Sequence, residues 1–332
     1  MSTAAPLVEV QDLNVRFVTR ESKVRAVNGV SFAMAPGEVL CMLGESGSGK
    51  SVTMRALMRL LPPKRAVIDG KVRIAGQDVL AMGEGDLRRF RGGTVSMIFQ
   101  EPMTAFDPVA RVGDQIAEVV ALHKGVSHRQ GLARALELFD LVKIPSAQRR
   151  LDAYPFELSG GLRQRAMIAM ALSCEPKLLL ADEPTTALDA TVQIQVLILL
   201  RRLQQEMGMS VIFVTHDLGV AAEIADRVAV MYAGRVVETG PVREVLRDPL
   251  HPYTTGLLAS TVHNQPRDRD LETIPGAPPD LRNLPPGCKF APRCSLAAAE
   301  CLDGEPSARH PAIGRMARCV RVPDAVLTPE FA

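Results

Sequence analysis

The 332-residue sequence predicts an α/β protein with a mainly parallel sheet, followed by a small, loop-rich C-terminal module. Short apolar segments alternate with longer segments of helical periodicity, which is typical of a parallel sheet covered by helices. A glycine-rich segment at 44–51 lies between an apolar segment and one free of Pro and Gly. Beyond about residue 265 the composition shifts to Pro, Gly, Arg and Cys, which indicates the separate module.

The N-terminal part of the chain is rich in short β-type segments. We predict strands at 7–10, 13–17, 30–34 and 39–43, with a Pro36-Gly37 turn before the last of them. These strands form an N-terminal sheet that leads into the glycine-rich segment.

The middle of the chain is predicted to be a helical insertion, after which buried strands return. A strand at 94–99 ends at Gln100, and helical patterns follow at 112–123, 129–141 and 163–172. Buried strands are predicted at 178–181, 211–215 and 228–231, with a helix over 191–207 that ends at Gly208 as its C-cap.

The composition excludes several classes of protein. Hydrophobic residues make up 47% and charged residues 23%, as in ordinary globular proteins, and the scattered basic residues give a net charge of only +2. This balance gives no reason to expect nucleic acid as a partner. The longest apolar runs are too short for a membrane span, and the N-terminus lacks the features of a signal peptide. We therefore expect a protein of the reducing cytoplasm, with its six cysteines not in disulfides.

Residues 44–51 fit the G-x-x-x-x-G-K-[ST] phosphate-binding loop at every fixed position. Its glycines allow successive N–H groups to converge on phosphate oxygens at a helix N-terminus. Lys50 is expected to reach the β- and γ-phosphates, and the Ser51 hydroxyl to ligate Mg²⁺. An ordinary glycine turn is disfavoured by the strand before it and the helix after it. The predicted nucleotide-binding residues here are Gly44, Glu45, Ser46, Gly47, Ser48, Gly49, Lys50, Ser51 and Val52.

A second phosphate-site motif lies at 178–183, where an apolar strand ends in Asp182 and Glu183. In phosphate-loop NTPases the first such carboxylate belongs to the Mg²⁺ shell. The next carboxylate is placed to orient or deprotonate the attacking water. An acidic pair after a strand is, by itself, more often a helix N-terminus, but the phosphate loop favours the catalytic interpretation.

The segment Leu-Ser-Gly-Gly-Leu-Arg-Gln-Arg at 158–165 resembles the signature of ATP-binding cassette (ABC) ATPases. Gln100 resembles the Q-loop glutamine of that family, 186–189 its D-loop, which ends at Asp189, and His216 its switch histidine. The resemblance covers about residues 7–265. It implies an ABC-type P-loop NTPase with an N-terminal antiparallel β-subdomain.

The resemblance also implies a division into domains. The ATP-binding core is expected at 1–100 and 173–250, a helical signature subdomain at 101–172, and a C-terminal extension with a Cys cluster at 251–332.

The resemblance assigns roles to the residues outside the phosphate loop. Ser159, Gly160 and Gly161 are expected at a helix start that faces the γ-phosphate bound by the opposite subunit. His216 is expected to contact the γ-phosphate and the attacking water. Gln100 is expected to reach Mg²⁺ and the water, while its loop touches a membrane partner. By themselves, His216 is more often a capping residue and Gln100 a surface amide.

Three further residues carry information about the nucleotide site and the subfamily. Leu162 stands where the signature usually has Gln, a choice that resembles one of the two ATPase subunits of oligopeptide and dipeptide importers. Phe17 is the candidate for stacking on adenine, and it is equally compatible with a core position. Asp189 is included among the residues of the nucleotide site.

The segments at 251–258 and 287–294, with the Pro-rich link between them, resemble the C-terminal extension of peptide and nickel importer ATPases. The four cysteines of the tail have the spacing C-x5-C-x6-C-x17-C. The resemblance favours a [4Fe–4S] cluster, whereas the lack of a C-x2-C pair gives little support to a zinc ribbon, and four unliganded thiols are the alternative. Cys41 and Cys174 are interpreted as core residues. The predicted cluster ligands are Cys288, Cys294, Cys301 and Cys319.

Together these resemblances predict the ATP-binding and hydrolysing subunit of an ABC importer that uses ATP and Mg²⁺. The expected partners are two transmembrane permease subunits, a related or identical ATPase subunit and, indirectly, a solute-binding protein. The expected location is the cytoplasmic face of the inner membrane, with the protein bound peripherally. Oligopeptides or dipeptides are the favoured cargo, with nickel or another small solute as alternatives.

Three other functions are less favoured. A soluble ABC ATPase acting on DNA or ribosomes usually has coiled-coil insertions, two cassettes or a basic surface, and a nucleotide kinase has no use for the signature. The tail as an independent metal-binding or redox module stays open.

Overall fold

The computed structural model describes residues 5–18, 22–185, 188–260 and 273–323. They fall into two compact units. The first unit takes its residues from 1–7, 35–38 and 74–214, and the second from 8–34, 39–73 and 215–332. Both units contain strands and helices, so the predicted α/β class is confirmed.

The strands are β1 (Val8–Val18), β2 (Lys23–Met34), β3 (Val39–Leu43), β4 (Ala66–Ile74), β5 (Gln77–Asp78), β6 (Val95–Ile98), β7 (Leu178–Asp182), β8 (Ser210–Thr215), β9 (Arg227–Tyr232), β10 (Arg235–Pro241), β11 (Arg309–Ala312) and β12 (Arg315–Ala317). The helices are α1 (Lys50–Leu57), α2 (Glu84–Gly93), α3 (Pro102–Ala105), α4 (Val112–Lys124), α5 (His128–Leu141), α6 (Ala147–Leu151), α7 (Gly160–Leu172), α8 (Ala190–Met207), α9 (Leu218–Ile224), α10 (Val242–Arg247) and α11 (Pro252–Ala259).

An antiparallel pair of long strands, β1 and β2, begins the second unit, and β4 lies on the other side of β1. Val15 pairs with Val27 and Arg16 with Arg25. The predicted strands at 7–10 and 13–17 are therefore one strand, which is bulged near Asp12, where φ is 46°. The strand predicted at 30–34 begins seven residues earlier, at Lys23, because residues 23–26 alternate polar and apolar side chains and pair with β1.

The larger sheet of the second unit is mixed. β3 is parallel to β9, β10 is antiparallel to β9 and β12, and β11 is antiparallel to β12. Every residue of β3 is buried, which suits a strand covered on both faces. The C-terminal strands thus extend the sheet that leads into the glycine-rich loop.

In the first unit, β7 lies between β6 and β8, and all three strands are parallel. Helices α4 and α5 pack so closely that a Cβ on Gly131 would lie 2.5 Å from the Ala117 carbonyl oxygen. α5 begins with a capping box formed by Ser127 and Gln130. α8 ends at Gly208 in the left-handed conformation, which confirms the predicted C-cap.

The two cysteines predicted to be core residues are buried, Cys41 on β3 and Cys174 after α7. Burial raises the pKa of both thiols. Among the described residues, no helix is both long enough and apolar enough to cross a bilayer.

Candidate functional site

The predicted phosphate loop follows β3 and ends where α1 begins at Lys50. Gly44, Gly47 and Gly49 have φ angles of 148°, 78° and 103°. A Cβ on Gly44 would lie 2.2 Å from the Met231 carbonyl oxygen, and one on Gly49 would lie 2.5 Å from that of Ala26. Glycine is therefore required at 44 and 49 by both backbone conformation and packing.

Lys50 closes this loop on itself. Its side chain is buried, and Nζ donates to the carbonyl oxygens of Gly44 at 2.7 Å and Glu45 at 2.9 Å, and to Ser48 Oγ at 3.4 Å. The ammonium thus sits at the N-terminus of α1, the end of a helix that favours anions. Ser51 and Val52 follow in the first turn, both half-buried. This arrangement of N–H groups and one ammonium suits a polyphosphate.

Two other predicted site residues belong to the second unit. Phe17 is half-buried on β1, where it pairs with Val24. His216 is exposed directly after β8 and is followed by Asp217, whose carboxylate caps α9 by accepting from the N–H of Gly219 at 2.8 Å. The capping role that sequence statistics give to such a histidine therefore belongs to its neighbour.

The predicted catalytic carboxylates lie in the first unit, at the end of β7. Asp182 is buried as the last residue of the strand. Glu183 adopts a positive φ of 46°, and its N–H donates to the Val214 carbonyl oxygen at 3.1 Å. Gln100 Nε2 donates to Glu183 Oε2 at 3.3 Å. The fold therefore brings together two residues 83 positions apart that sequence analysis assigned to one reaction.

The signature segment lies at the N-terminus of α7. Ser159 is the N-cap residue, and Ser159 and Gly160 are exposed. Arg163 holds the preceding turn, because its Nε donates to the Pro155 carbonyl oxygen and its Nη2 to that of Leu158, both at 2.9 Å. Leu162 and Gly161 are half-buried. The segment thus presents an open helix N-terminus on a rigid turn.

Asp189 marks the end of the predicted D-loop. Its side chain accepts from the N–H of Val192 at 3.0 Å and so caps α8. Thr186 and Ala187, the first two residues of that motif, lie outside the described residues.

The four tail cysteines line one small cavity in the second unit, together with His251 and Phe290. Burial raises the pKa of the Cys288 and Cys294 thiols and lowers that of His251 to about 4. Within the described residues, no group of three or more His, Cys, Asp or Glu side chains is arranged to hold a metal ion. This arrangement gives no support to the predicted iron–sulfur cluster, although its four proposed ligands line one cavity.

One pair of charged residues near the phosphate loop was not anticipated from the sequence. Arg293 in the tail forms a salt bridge with Glu45, whose shorter contact is 2.7 Å. The two residues are 248 positions apart, and no local pattern connects them. The position of Arg293 beside Cys294 in a short Pro-rich segment was the only available signal.

Comparison with known proteins covers nearly the whole chain. The ABC transporter family profile matches residues 27–186, and the profile of the oligopeptide/dipeptide transporter C-terminal region matches residues 237–301. A protein of Brucella melitensis named as a putative peptide import ATP-binding protein is 51% identical, over 95% of this chain and 97% of its own length. A protein of Brucella abortus with the same description is 49% identical, over 95% of both chains.

A solved structure shares the cassette fold. It is an ATP-binding cassette in a dimeric post-hydrolysis state bound to ADP and Pi, 27% identical, with a TM-score of 0.64. The similarity covers 71% of this chain and 99% of the solved one. The chain belongs to the ABC transporter family, as an ATP-hydrolysing transport subunit that carries the C-terminal region of oligopeptide/dipeptide transporters.

Proposed function

We propose that this ATPase powers the import of oligopeptides or dipeptides through two membrane permease subunits. The observation that carries the proposal is the similarity, over 95% of the chain, to proteins named for peptide import. It includes the C-terminal region that distinguishes this branch from a bare cassette. Attachment to permeases would keep the protein at the cytoplasmic face of the inner membrane. Nickel or another small solute is the alternative cargo.

The phosphate loop is proposed to bind the triphosphate of ATP. Lys50 would exchange its carbonyl partners for β- and γ-phosphate oxygens, and the N–H groups at 44–52 would hold the remaining charge. Mg²⁺, when bound, neutralises charge on those phosphates. Ser51, Asp182 and Gln100 are the residues proposed to hold it, and their hydroxyl, carboxylate and amide oxygens are the donors that Mg²⁺ prefers. Phe17 is proposed to stack on adenine.

Hydrolysis is proposed to depend on Glu183 as the general base for the attacking water. The contact from Gln100 supports this role, because a neutral amide can orient the carboxylate without adding charge. The positive φ of Glu183 also supports it, since unusual backbone conformations cluster at functional sites. His216, exposed after β8, is proposed to contact the γ-phosphate and the water.

Turnover is proposed to need a second ATPase subunit, identical or related. The exposed N-terminus of α7, with Ser159, Gly160 and Gly161, would bind the γ-phosphate held by that partner. Asp189 would contribute from the start of α8. The similar solved cassette is itself a dimer, which supports this arrangement. ATP binding would then close two subunits and hydrolysis would separate them.

The four tail thiols are proposed to hold a [4Fe–4S] cluster, which requires four Cys ligands. Their common cavity supports this proposal. Cys288, Cys294, Cys301 and Cys319 would each supply one thiolate to the cluster. Anaerobic purification should yield about four iron and four sulfide ions per chain, and Cys301→Ser should lose them. Cys174→Ser is the matched buried control. Zinc, or no metal, would contradict the proposal.

Affinity purification of the tagged full chain from gently solubilised native membranes tests the transport function. Recovery of two polytopic membrane proteins, a related ATPase and a solute-binding protein would support it. Recovery of ribosomes or nucleic-acid-binding proteins instead would support the alternative function of a soluble ABC ATPase that acts on DNA or ribosomes. Uptake of a labelled dipeptide, a labelled oligopeptide and Ni²⁺ by the reconstituted complex then identifies the cargo, with Glu183→Gln as the inactive control.

A further inference from the structure

Glu45, the second residue of the phosphate loop, is held through three of its groups at once. Its carboxylate accepts from Arg293 Nη1 at 2.7 Å and from Nη2 at 3.0 Å. Its backbone N–H donates to Tyr253 Oη at 2.8 Å. Its carbonyl oxygen accepts from Lys50 Nζ at 2.9 Å. Two of these three contacts come from the C-terminal region, and the third leads directly to the ammonium of the phosphate loop.

Arg293 is itself fixed within the tail. Its side chain is only 6% exposed, and Nε donates to the Pro275 carbonyl oxygen at 2.9 Å. The guanidinium carbon lies 5.9 Å from the centre of the Tyr232 ring. The next residue is Cys294, which lines the four-cysteine cavity. The position of the guanidinium is therefore determined by the folded C-terminal module.

Tyr253 is held with equal precision. Its ring lies 4.6 Å from that of Tyr232 and 5.3 Å from that of Phe290, measured between centroids. Its backbone N–H donates to His251 Nδ1 at 3.1 Å, which caps α11. Because the ring is packed against two other aromatic rings, the position of the Tyr253 hydroxyl is restricted.

The energetics favour a positioning role over a stabilising one. A largely buried ion pair loses much of its Coulomb gain to desolvation, so it is weak evidence for stability. A two-pronged guanidinium–carboxylate contact instead fixes geometry, which a lysine cannot reproduce. Displacement of Glu45 would also move its carbonyl oxygen. Because that oxygen accepts from Lys50 Nζ, the position of Lys50 would change with it.

We propose that Arg293 and Tyr253 of the C-terminal region are positioning residues for the phosphate loop: they fix Glu45, and through its carbonyl oxygen they set the place of Lys50. The C-terminal region is thereby part of the apparatus for ATP binding. The proposal rests on the assignment of residues 44–51 as the phosphate loop. It concerns ATP affinity more than the chemical step, because neither residue belongs to the proposed hydrolytic set.

The test measures the Kd of a fluorescent ATP analogue for the purified full chain, and KM and kcat for ATP in the assembled transporter. Arg293→Gln removes the charged fork, and Kd and KM should rise roughly three- to tenfold, less than for loss of Lys50 itself, with kcat nearly unchanged. Arg293→Lys should recover little of this loss. Tyr253→Phe keeps the ring and removes one hydrogen bond, so Kd should rise roughly two- to tenfold.

The Arg293→Gln/Glu45→Gln double variant tests whether the two residues act as a pair. Its Kd should be no higher than that of Arg293→Gln alone, because both changes disrupt one contact. Additive losses would show that Arg293 and Glu45 act separately and would overturn the proposal.

Arg315→Gln is the matched control, because it disrupts another buried pair of the same unit. Arg315 is 7% exposed, and its Nη2 lies 3.2 Å from Glu238. It should lower Tm and leave Kd unchanged. If Arg293→Gln and Tyr253→Phe lower Tm but keep Kd within about twofold, the proposal is wrong. Lys50→Ala tests the phosphate-loop assignment independently of Arg293 and Tyr253, since retained ATP binding in that variant would refute that assignment itself.

Discussion

Gly44 and Gly49 of the phosphate loop differ from Gly160 of the signature segment in what requires glycine at each position. A Cβ on Gly44 or Gly49 would lie within 2.5 Å of a backbone oxygen of the same chain, in a conformation that disfavours side chains. A Cβ on Gly160 would meet no atom within 4 Å, and its φ is not positive. The first set is therefore explained by the fold of one chain. If Gly160 is required, the requirement comes from outside the described residues.

Polar groups show the same contrast. In the phosphate loop, Lys50 already has three oxygen partners within the loop. In the signature segment, the Ser159 side chain is exposed and makes no capping hydrogen bond within the described part of the chain. The phosphate loop is held by contacts within one chain, while the signature segment begins with an exposed serine whose side chain does not cap the helix among the described residues.

Glu183→Gln should have the largest effect, because it removes the proposed general base without disturbing either region. Turnover should fall roughly 10²–10⁴-fold, whereas ATP affinity should be retained. Glutamine keeps the size of the side chain and the acceptor oxygen for Gln100. ATPase rates and equilibrium ATP binding of the same preparation measure the two effects separately.

Glu157→Gln is a suitable control, since Glu157 is an exposed acid of the same unit that holds a turn by accepting from the Tyr154 N–H at 2.7 Å. Its turnover should stay near that of the natural chain. Normal turnover in Glu183→Gln would remove Glu183 from the proposed mechanism.

Lys50→Ala should come next, with ATP affinity reduced roughly 10- to 100-fold through loss of charge-assisted hydrogen bonds to phosphate. Titration of a fluorescent ATP analogue measures the change. Lys64→Ala, an exposed lysine of the same unit, should bind ATP normally. Tight binding by Lys50→Ala would contradict the assignment of residues 44–51 as the phosphate loop.

Gly160→Ala tests the comparison most directly. Tm should be unchanged or slightly higher, because alanine favours the helix more than glycine does and meets no neighbour. Turnover should nevertheless fall about tenfold, on the scale of one hydrogen bond to a charged group.

Gly44→Ala is the contrasting variant, and it should lose about 1–3 kcal/mol of unfolding free energy through backbone strain and overlap. Thermal unfolding and ATPase rates of both variants provide the readout. Unchanged turnover in Gly160→Ala would show that no outside group approaches the signature glycine.

The sequence allowed those parts of the fold to be predicted that have a local signal. The buried strands β3, β7, β8 and β9 each contain a continuous apolar run. The length of α8 and its Gly208 cap are also visible in the local sequence. The strand β10 contains a Gly and a Pro, which predict a turn, and its place in the sheet comes from pairing with β9 and β12. Such pairing depends on tertiary structure and cannot be recognised from a short stretch of sequence.

The candidate site divides in the same way. The phosphate loop and the Asp182–Glu183 pair follow spacings that their chemistry explains, and the signature is identified by resemblance, so the sequence alone proposes these residues. The contact of Arg293 with Glu45 could not be predicted in advance, because it joins two residues 248 positions apart that belong to different motifs. The convergence of the four tail cysteines was expected from their place in a small Pro-rich module and from the family resemblance, whereas what they bind depends on distances that spacing does not supply.

Asp189→Asn should have the smallest effect and separates structure from function at the start of α8. Asparagine caps a helix as well as aspartate does, so the bond to the Val192 N–H and the Tm should be kept. If Asp189 contributes to the composite site, removing its charge should still lower turnover roughly two- to fivefold. This factor corresponds to the interaction energy of one exposed charge with a helix end. Asp189→Ala should in addition lose about 1 kcal/mol of unfolding free energy with the cap. If Asp189→Asn has normal turnover, helix capping is the whole role of Asp189. The presence of Asp189 would then be explained by the fold of one chain, as the presence of Gly44 is.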